Sequence, residues 1–140
     1  MIKTLSPEDA RSLLERCRIG RLGCITGNEP YVVPISYLFE DDSVYGHTMP
    51  GLKVDALRAN PRACVQVDEI RDGYHWRSAI GFGGYEEIKD PEERERLLTK
   101  LLERFPQLTP AESISANSGL FAPPIVFRIR LERMTGLAED

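Results

Sequence analysis

Between residues 21 and 48 the chain reads RLGCITGNEPYVVPISYLFEDDSVYGHT, three short apolar runs separated by the turn clusters Gly27-Asn28-Glu29-Pro30 and Glu40-Asp41-Asp42-Ser43. This spacing constrains the fold more than any other feature of the sequence. Parallel neighbours need a crossover of a dozen or more residues, whereas turns of about four residues join antiparallel strands. The stretch therefore predicts three consecutive antiparallel strands. Pro34 falls inside the second, where it has no N–H to give to a ladder. It marks a sheet edge, a bulge, or a place where a ligand lies against the backbone.

The remaining segments fit around this core. Ser6-Pro7-Glu8-Asp9 has the capping hydroxyl, the first-turn proline and the acids of a helix start. Ala10, Leu13, Leu14 and Cys17 then form one apolar stripe, and Arg18-Ile19-Gly20 ends the helix. A short helix opened by Lys53 follows the turn at Pro50-Gly51 and stops at Asn60-Pro61, and a strand leads to Val67. Asp68 to Tyr74 reads as a polar loop, and Trp76 to Ile88 as a strand containing Gly81, Gly83 and Gly84. Glycines this close together in a strand allow a bulge or a tight bend.

Asp90-Pro91-Glu92-Glu93 repeats the capping logic, and Leu97, Leu98, Leu101, Leu102 and Phe105 make an apolar helix face. Gln107 to Pro124 reads as a loop, and Ile125 to Leu131 alternates as a half-buried strand closed by Met134-Thr135-Gly136. The sum is a mainly β (α+β) chain, a six-stranded antiparallel barrel with flanking helices, since closing the sheet removes exposed edges. At 140 residues, positions 1–140 are expected to form a single domain.

Several function classes are disfavoured. A net charge of -4 argues against nucleic acid as a partner. No apolar run approaches the roughly 20 residues that cross a bilayer, and the N-terminal stretch lacks the apolar region of a secretory signal, so a cytoplasmic protein with no membrane partner is expected. Cys17, Cys24 and Cys64 show no CxxC spacing, which fits reduced thiols, with burial the simplest reading of each. His47 and His75, the two histidines, stand in no zinc-binding pattern, so no metal is expected. The glycines after residue 80 miss the G-x-G-x-x-G spacing because position 86 is Glu, and no phosphate loop of the G-x-x-x-x-G-K-[ST] type is present. There is no G-x-S-x-G either.

Ser43 to Val67 concentrates what chemistry there is. A strand delivers His47 and Thr48 to a helix start that carries Lys53, gathering imidazole, hydroxyl, ammonium and backbone N–H groups. The first-turn N–H groups of a helix lack intrahelical partners and lie at the positive end of its dipole, which suits a phosphate. A solvated first-turn lysine is the plainer alternative.

The segments IGRLGCI, PYVVPISYLF, VYGHTMPGLKVDALRANPRACVQVD and WRSAIGFGGYEEI-DPEE, followed by a strand ending MTG, resemble in that order the flavin-binding split barrels of the pyridoxamine-phosphate-oxidase-like superfamily. The similarity runs from about Cys17 to Gly136 and leans toward the branch of nitroimidazole-resistance proteins. It implies an FMN-binding homodimer with the cofactor at the subunit interface. It places Val33, Pro34, Ile35 and Ser36 beside the isoalloxazine, and His47, Thr48, Leu52 and Lys53 at the ribityl phosphate, with Lys53 as its charge partner. Trp76 and Ser78 would approach the flavin from the partner chain.

The true oxidases of the family place an Arg-Lys pair where this chain has Leu52-Lys53, and carry an Arg- and His-bearing C-terminal segment where this chain has Met134-Thr135-Gly136 and four further residues. Vitamin B6 oxidation is therefore not expected. The expectation is an FMN-dependent oxidoreductase that reduces a small organic or nitroaromatic acceptor, with NAD(P)H a candidate donor and His47 the candidate catalytic side chain. The alternatives are a non-catalytic flavin- or haem-binding module, with His47 or His75 as axial ligand, and a deazaflavin-dependent reductase.

Overall fold

The structure is a computed structural model describing residues 1–105 and 124–140. In chain order it consists of β1 (Ile2–Leu5), α1 (Pro7–Arg16), β2 (Ile19–Thr26), β3 (Glu29–Ser36), β4 (Leu38–Glu40), β5 (Ser43–Thr48), α2 (Leu52–Ala59), β6 (Arg62–Asp72), β7 (His75–Glu87), α3 (Pro91–Arg104) and β8 (Ile125–Glu139). The strands form one antiparallel sheet in the order β3-β2-β6-β7-β8-β5-β4, with β1 added beside β8.

The helix starts follow their capping chemistry. Ser6 accepts from the Asp9 N–H at 3.1 Å, and Asp90 from the Glu93 N–H at 3.0 Å. Each satisfies a donor that the helix itself cannot. The stripe of α1 then buries Ala10, Leu13 and Leu14 completely against β7 and β8. Around them Leu22, Tyr37, Val44, Leu57, Val65 and Phe127 make the main core. A smaller cluster of Tyr45, Leu97 and Val126 seats α3.

Among the described residues the sheet has eight strands rather than six, and both additions are short. Ile2–Leu5 is too brief to show a period, and Leu38–Glu40 is cut from β3 at Tyr37. There the backbone N–H turns to the carbonyl of Arg18 and the fully buried phenol donates to the carbonyl of Leu14 at 2.5 Å. The polar loop expected over Asp68–Tyr74 is mostly strand, with only Gly73 and Tyr74 in the turn. Its charges sit on a solvent-facing ribbon, where Glu69 pairs with Arg16 and Asp68 with Arg21.

The last strand runs past Leu131 to Glu139, which lengthens the expected element by eight residues. Pro34 does lie on an edge strand, and a register shift falls between Phe82 and Gly83, where the glycines had suggested a bulge. The loop expected from Gln107 to Pro124 lies, except for Pro124, outside the described residues.

Candidate functional site

β5 and α2 form a strand–turn–helix unit. β5 pairs with β8, His47 opposite Val126 and Thr48 opposite Ile125. Successive strand residues project to opposite faces. His47 therefore shares a side with Tyr45 and the small cluster under α3, while Thr48 shares one with Val44 and the main core. His47 is half-buried, with no solvent-accessible surface at Nδ1. Thr48 is buried and its hydroxyl donates to the Met49 carbonyl at 3.1 Å.

The helix start itself is open. Gly51 occupies the cap position and offers no side-chain acceptor, and the first intrahelical bond runs from the Asp55 N–H to the Gly51 carbonyl. The N–H groups ahead of it lie at the positive end of the dipole. A Cβ built on Gly51 would meet nothing within 4 Å, and Leu52 is 60% exposed. Lys53 is half-buried on α2, which packs against β2. Burial pushes the Cys24 thiol up, the neighbouring Cys64 adds to the rise, and the Lys53 ammonium opposes both. Cys24 pairs with Tyr31 of β3, so α2, packed on β2, lies beside the strand that carries the first hairpin.

The other expected residues separate by strand parity. On β3, Val33 and Ile35 point into the main core, whereas Pro34 and Ser36 are exposed on the outer face. On β7, Trp76 and Ser78 also point outward and are half-buried. The Trp76 indole donates to Glu139 Oε1 at 3.0 Å, and Ser78 Oγ accepts from Gln66 at 3.0 Å. These two occupy the end of β7 that pairs with Leu137–Glu139, while the β8 residues beside β5 pair with Gly84–Glu87. A single chain thus does not bring Trp76 and Ser78 to the helix start.

Near Trp76, a cleft of about 500 Å³ is lined by His75, Trp76, Arg77 and Glu139 among others. His75 is held there through Nδ1, 2.8 Å from Asp72 Oδ1. No group of three His, Cys, Asp or Glu side chains gathers as a metal site among the described residues. None of the described helices is long and apolar enough to cross a membrane.

Residues 6–138 match the family described as pyridoxamine 5'-phosphate oxidase. The chain belongs to that family. An FAD-binding protein of Mesorhizobium loti has a similar structure, at a TM-score of 0.80 and 33% identity, over 100% of this chain and 98% of the other. The fold recurs in a candidate 5-nitroimidazole antibiotic resistance protein of Bacteroides thetaiotaomicron, with a TM-score of 0.74 and 22% identity, over 99% and 89% of the two chains. An uncharacterized protein of Rhizobium meliloti is 28% identical over an alignment of 148 residues, covering 98% of this chain and 95% of the relative.

The family relation gives the open helix start a context, and the geometry adds residues that the sequence did not single out. Arg21, Gln66 and Asp68 join Ser78 in one hydrogen-bonded cluster on the outer sheet face. Their positions on β2, β6 and β7 are far apart in sequence. Only the strand register brings them together, so no motif could have found them.

Proposed function

We propose that this family member is a flavin-nucleotide-dependent oxidoreductase of the nitroimidazole-resistance-like branch, working as a homodimer of split barrels with FMN at the interface. The observation that carries the reading is the uncapped start of α2, which offers backbone donors at the positive end of a dipole, with the half-buried Lys53 in its first turn. A phosphate there gains hydrogen bonds from the helix amides and the field of the dipole together. The 33%-identical relative, described as FAD-binding, supports a flavin.

When bound, the flavin supplies the electron-transfer chemistry for reduction of a small organic or nitroaromatic acceptor. The chain's part is to hold the phosphate with Lys53 and the α2 amides, and to lay the ring along β3. His47, at the end of β5, is the side chain proposed to exchange a proton with the bound acceptor.

A second copy explains two facts together. Trp76 and Ser78 lie away from the helix start of their own chain, and Ile2, Ile19, Ile25, Val32, Ile70 and Leu137, each at least 41% exposed, share the outer sheet face with them. An apolar face of that kind marks an association surface.

FAD is the second reading. It is favoured by the printed description of the 33%-identical relative and by the open space at Gly51, which leaves room beyond a first phosphate.

Fluorescence titration of FMN and FAD into wild type and Lys53→Ala tests the proposal. Wild type should saturate with one of them, and the variant should bind it about tenfold more weakly, the loss expected for one charge-assisted hydrogen bond. Equal affinities would remove Lys53 from the site, and a wild type that takes up neither flavin would refute the function. Bleaching of the bound flavin by NAD(P)H without air identifies a reductase. A Soret band on added haem, with no flavin uptake, would redirect the reading to a haem module.

A further inference from the structure

Strand pairing sets Val32, Gly23, Cys64, Phe82 and Arg133 in one row across β3, β2, β6, β7 and β8, on the outer face of the sheet. The guanidinium carbon of Arg133 lies 4.1 Å from the centre of the Phe82 ring. A planar cation held over a ring keeps its in-plane fork of N–H donors for an oxyanion. The other outward-facing strand arginines each have a carboxylate: Arg21 has Asp68, Arg62 has Glu132, and Arg128 and Arg130 share Glu86. Arg133 has none among the described residues.

A second row, Arg62, Gly84 and Arg130, runs beside the first. Outward-facing neighbours along a strand are about 7 Å apart, so these arginines flank the Phe82–Arg133 pair. A Cβ on Gly84 would meet nothing within 4 Å, which leaves the middle of the row open. Arg62 and Glu132 are both more than half exposed, and Arg130 stands 3.4 Å from Glu86. Ion pairs of this kind contribute little and give way readily to a ligand. Arg62, Arg128, Arg130 and Arg133 stand here against Glu86 and Glu132, an excess of two positive charges on a chain whose net charge is -4. The patch attracts anions while the chain as a whole repels them.

Away from Arg133 the first row is apolar. Phe82 and Cys64 are half-buried, and Cys64 Sγ lies over Gly23, where a Cβ would come within 2.8 Å of it. The floor from Phe82 to the exposed Val32 is therefore low and without charge. Apolar surface ending in a few fixed polar groups is the arrangement of a small-molecule site.

We propose that this row binds a small amphipathic anion, its carboxylate or phosphate head on the Arg133 fork with Arg62 and Arg130 beside it, and its apolar body along Phe82, Cys64 and Gly23. The site is separate from the phosphate position assigned to α2. That helix follows Thr48, which pairs with Ile125 at the beginning of β8, roughly 25 Å along the strand from Arg133.

Calorimetric titration of 1-naphthoate, 1-naphthyl phosphate and the neutral 1-naphthylmethanol into the purified protein, with and without saturating FMN, tests the site. Wild type should bind one of the anions about tenfold more tightly than the neutral probe, the scale of one charge-assisted pair. The tighter anion identifies the head group. Arg133→Gln should lose the preference. A wild type that favours neither anion, or an Arg133→Gln protein that keeps the preference, would overturn the proposal. Displacement of the probe by FMN would also overturn it by giving the patch to the flavin, whereas a protein that takes up the probe and no flavin refutes only the flavin reading. An Arg133→Gln protein that loses self-association with its probe affinity intact would assign the arginine to a second copy instead. Circular dichroism checks the fold of the variant; should it fail to fold, the wild-type preference and its weakening by salt decide alone.

Discussion

Gly83 shows how one residue fixes the register around the site. The strand pairing shifts between Phe82 and Gly83, and a Cβ at Gly83 would lie 1.8 Å from the Arg130 carbonyl oxygen, a backbone atom that cannot step aside. Gly84, one residue on, has nothing within 4 Å of its Cβ position. Gly83→Ala should therefore destabilise by roughly 2–3 kcal/mol, a fall in Tm on the order of 10 °C for a chain of this size. Gly84→Ala should stay within a few degrees of wild type. Thermal melts of the two variants check this, and equal melting temperatures would contradict the close approach. The sequence shows the three glycines but not which of them meets a backbone, because that depends on the partner strand.

At the scale of elements, local chemistry was legible and long-range pairing was not. The first and third helices are announced by Ser6-Pro7 and Asp90-Pro91, and both caps form as expected. Asp90→Ala should cost about 1 kcal/mol, read as a lower urea midpoint at unchanged slope, while Asp90→Asn should restore most of it. A midpoint unmoved by Asp90→Ala would mean that α3 is held by Leu97 and Leu101 alone.

The strands were harder to bound. Asp68–Asp72 looks like a loop because its charges face water and pair across to Arg16 and Arg21. Tyr37 looks like mid-strand because nothing local shows its phenol diving to the Leu14 carbonyl. The β5–α2 unit was visible as a turn between an apolar strand and a lysine-bearing helix. The cluster of Arg21, Gln66, Asp68 and Ser78 was invisible, since it exists only once three strands are in register.

For the whole molecule, the decisive asymmetry is between the two faces of the sheet. One is closed by α1 and the main core, while the other, among the described residues, exposes six large apolar side chains together with the polar cluster of Arg21, Gln66, Asp68 and Ser78. Flavin binding and self-association are therefore two expressions of one surface in this account, and they should appear together. Analytical ultracentrifugation of the protein mixed with FMN, followed at the flavin absorption band, tests both at once. The account predicts that the flavin sediments with a species of twice the 15.8 kDa chain mass. Flavin left behind unbound, or travelling with a single chain, would contradict it.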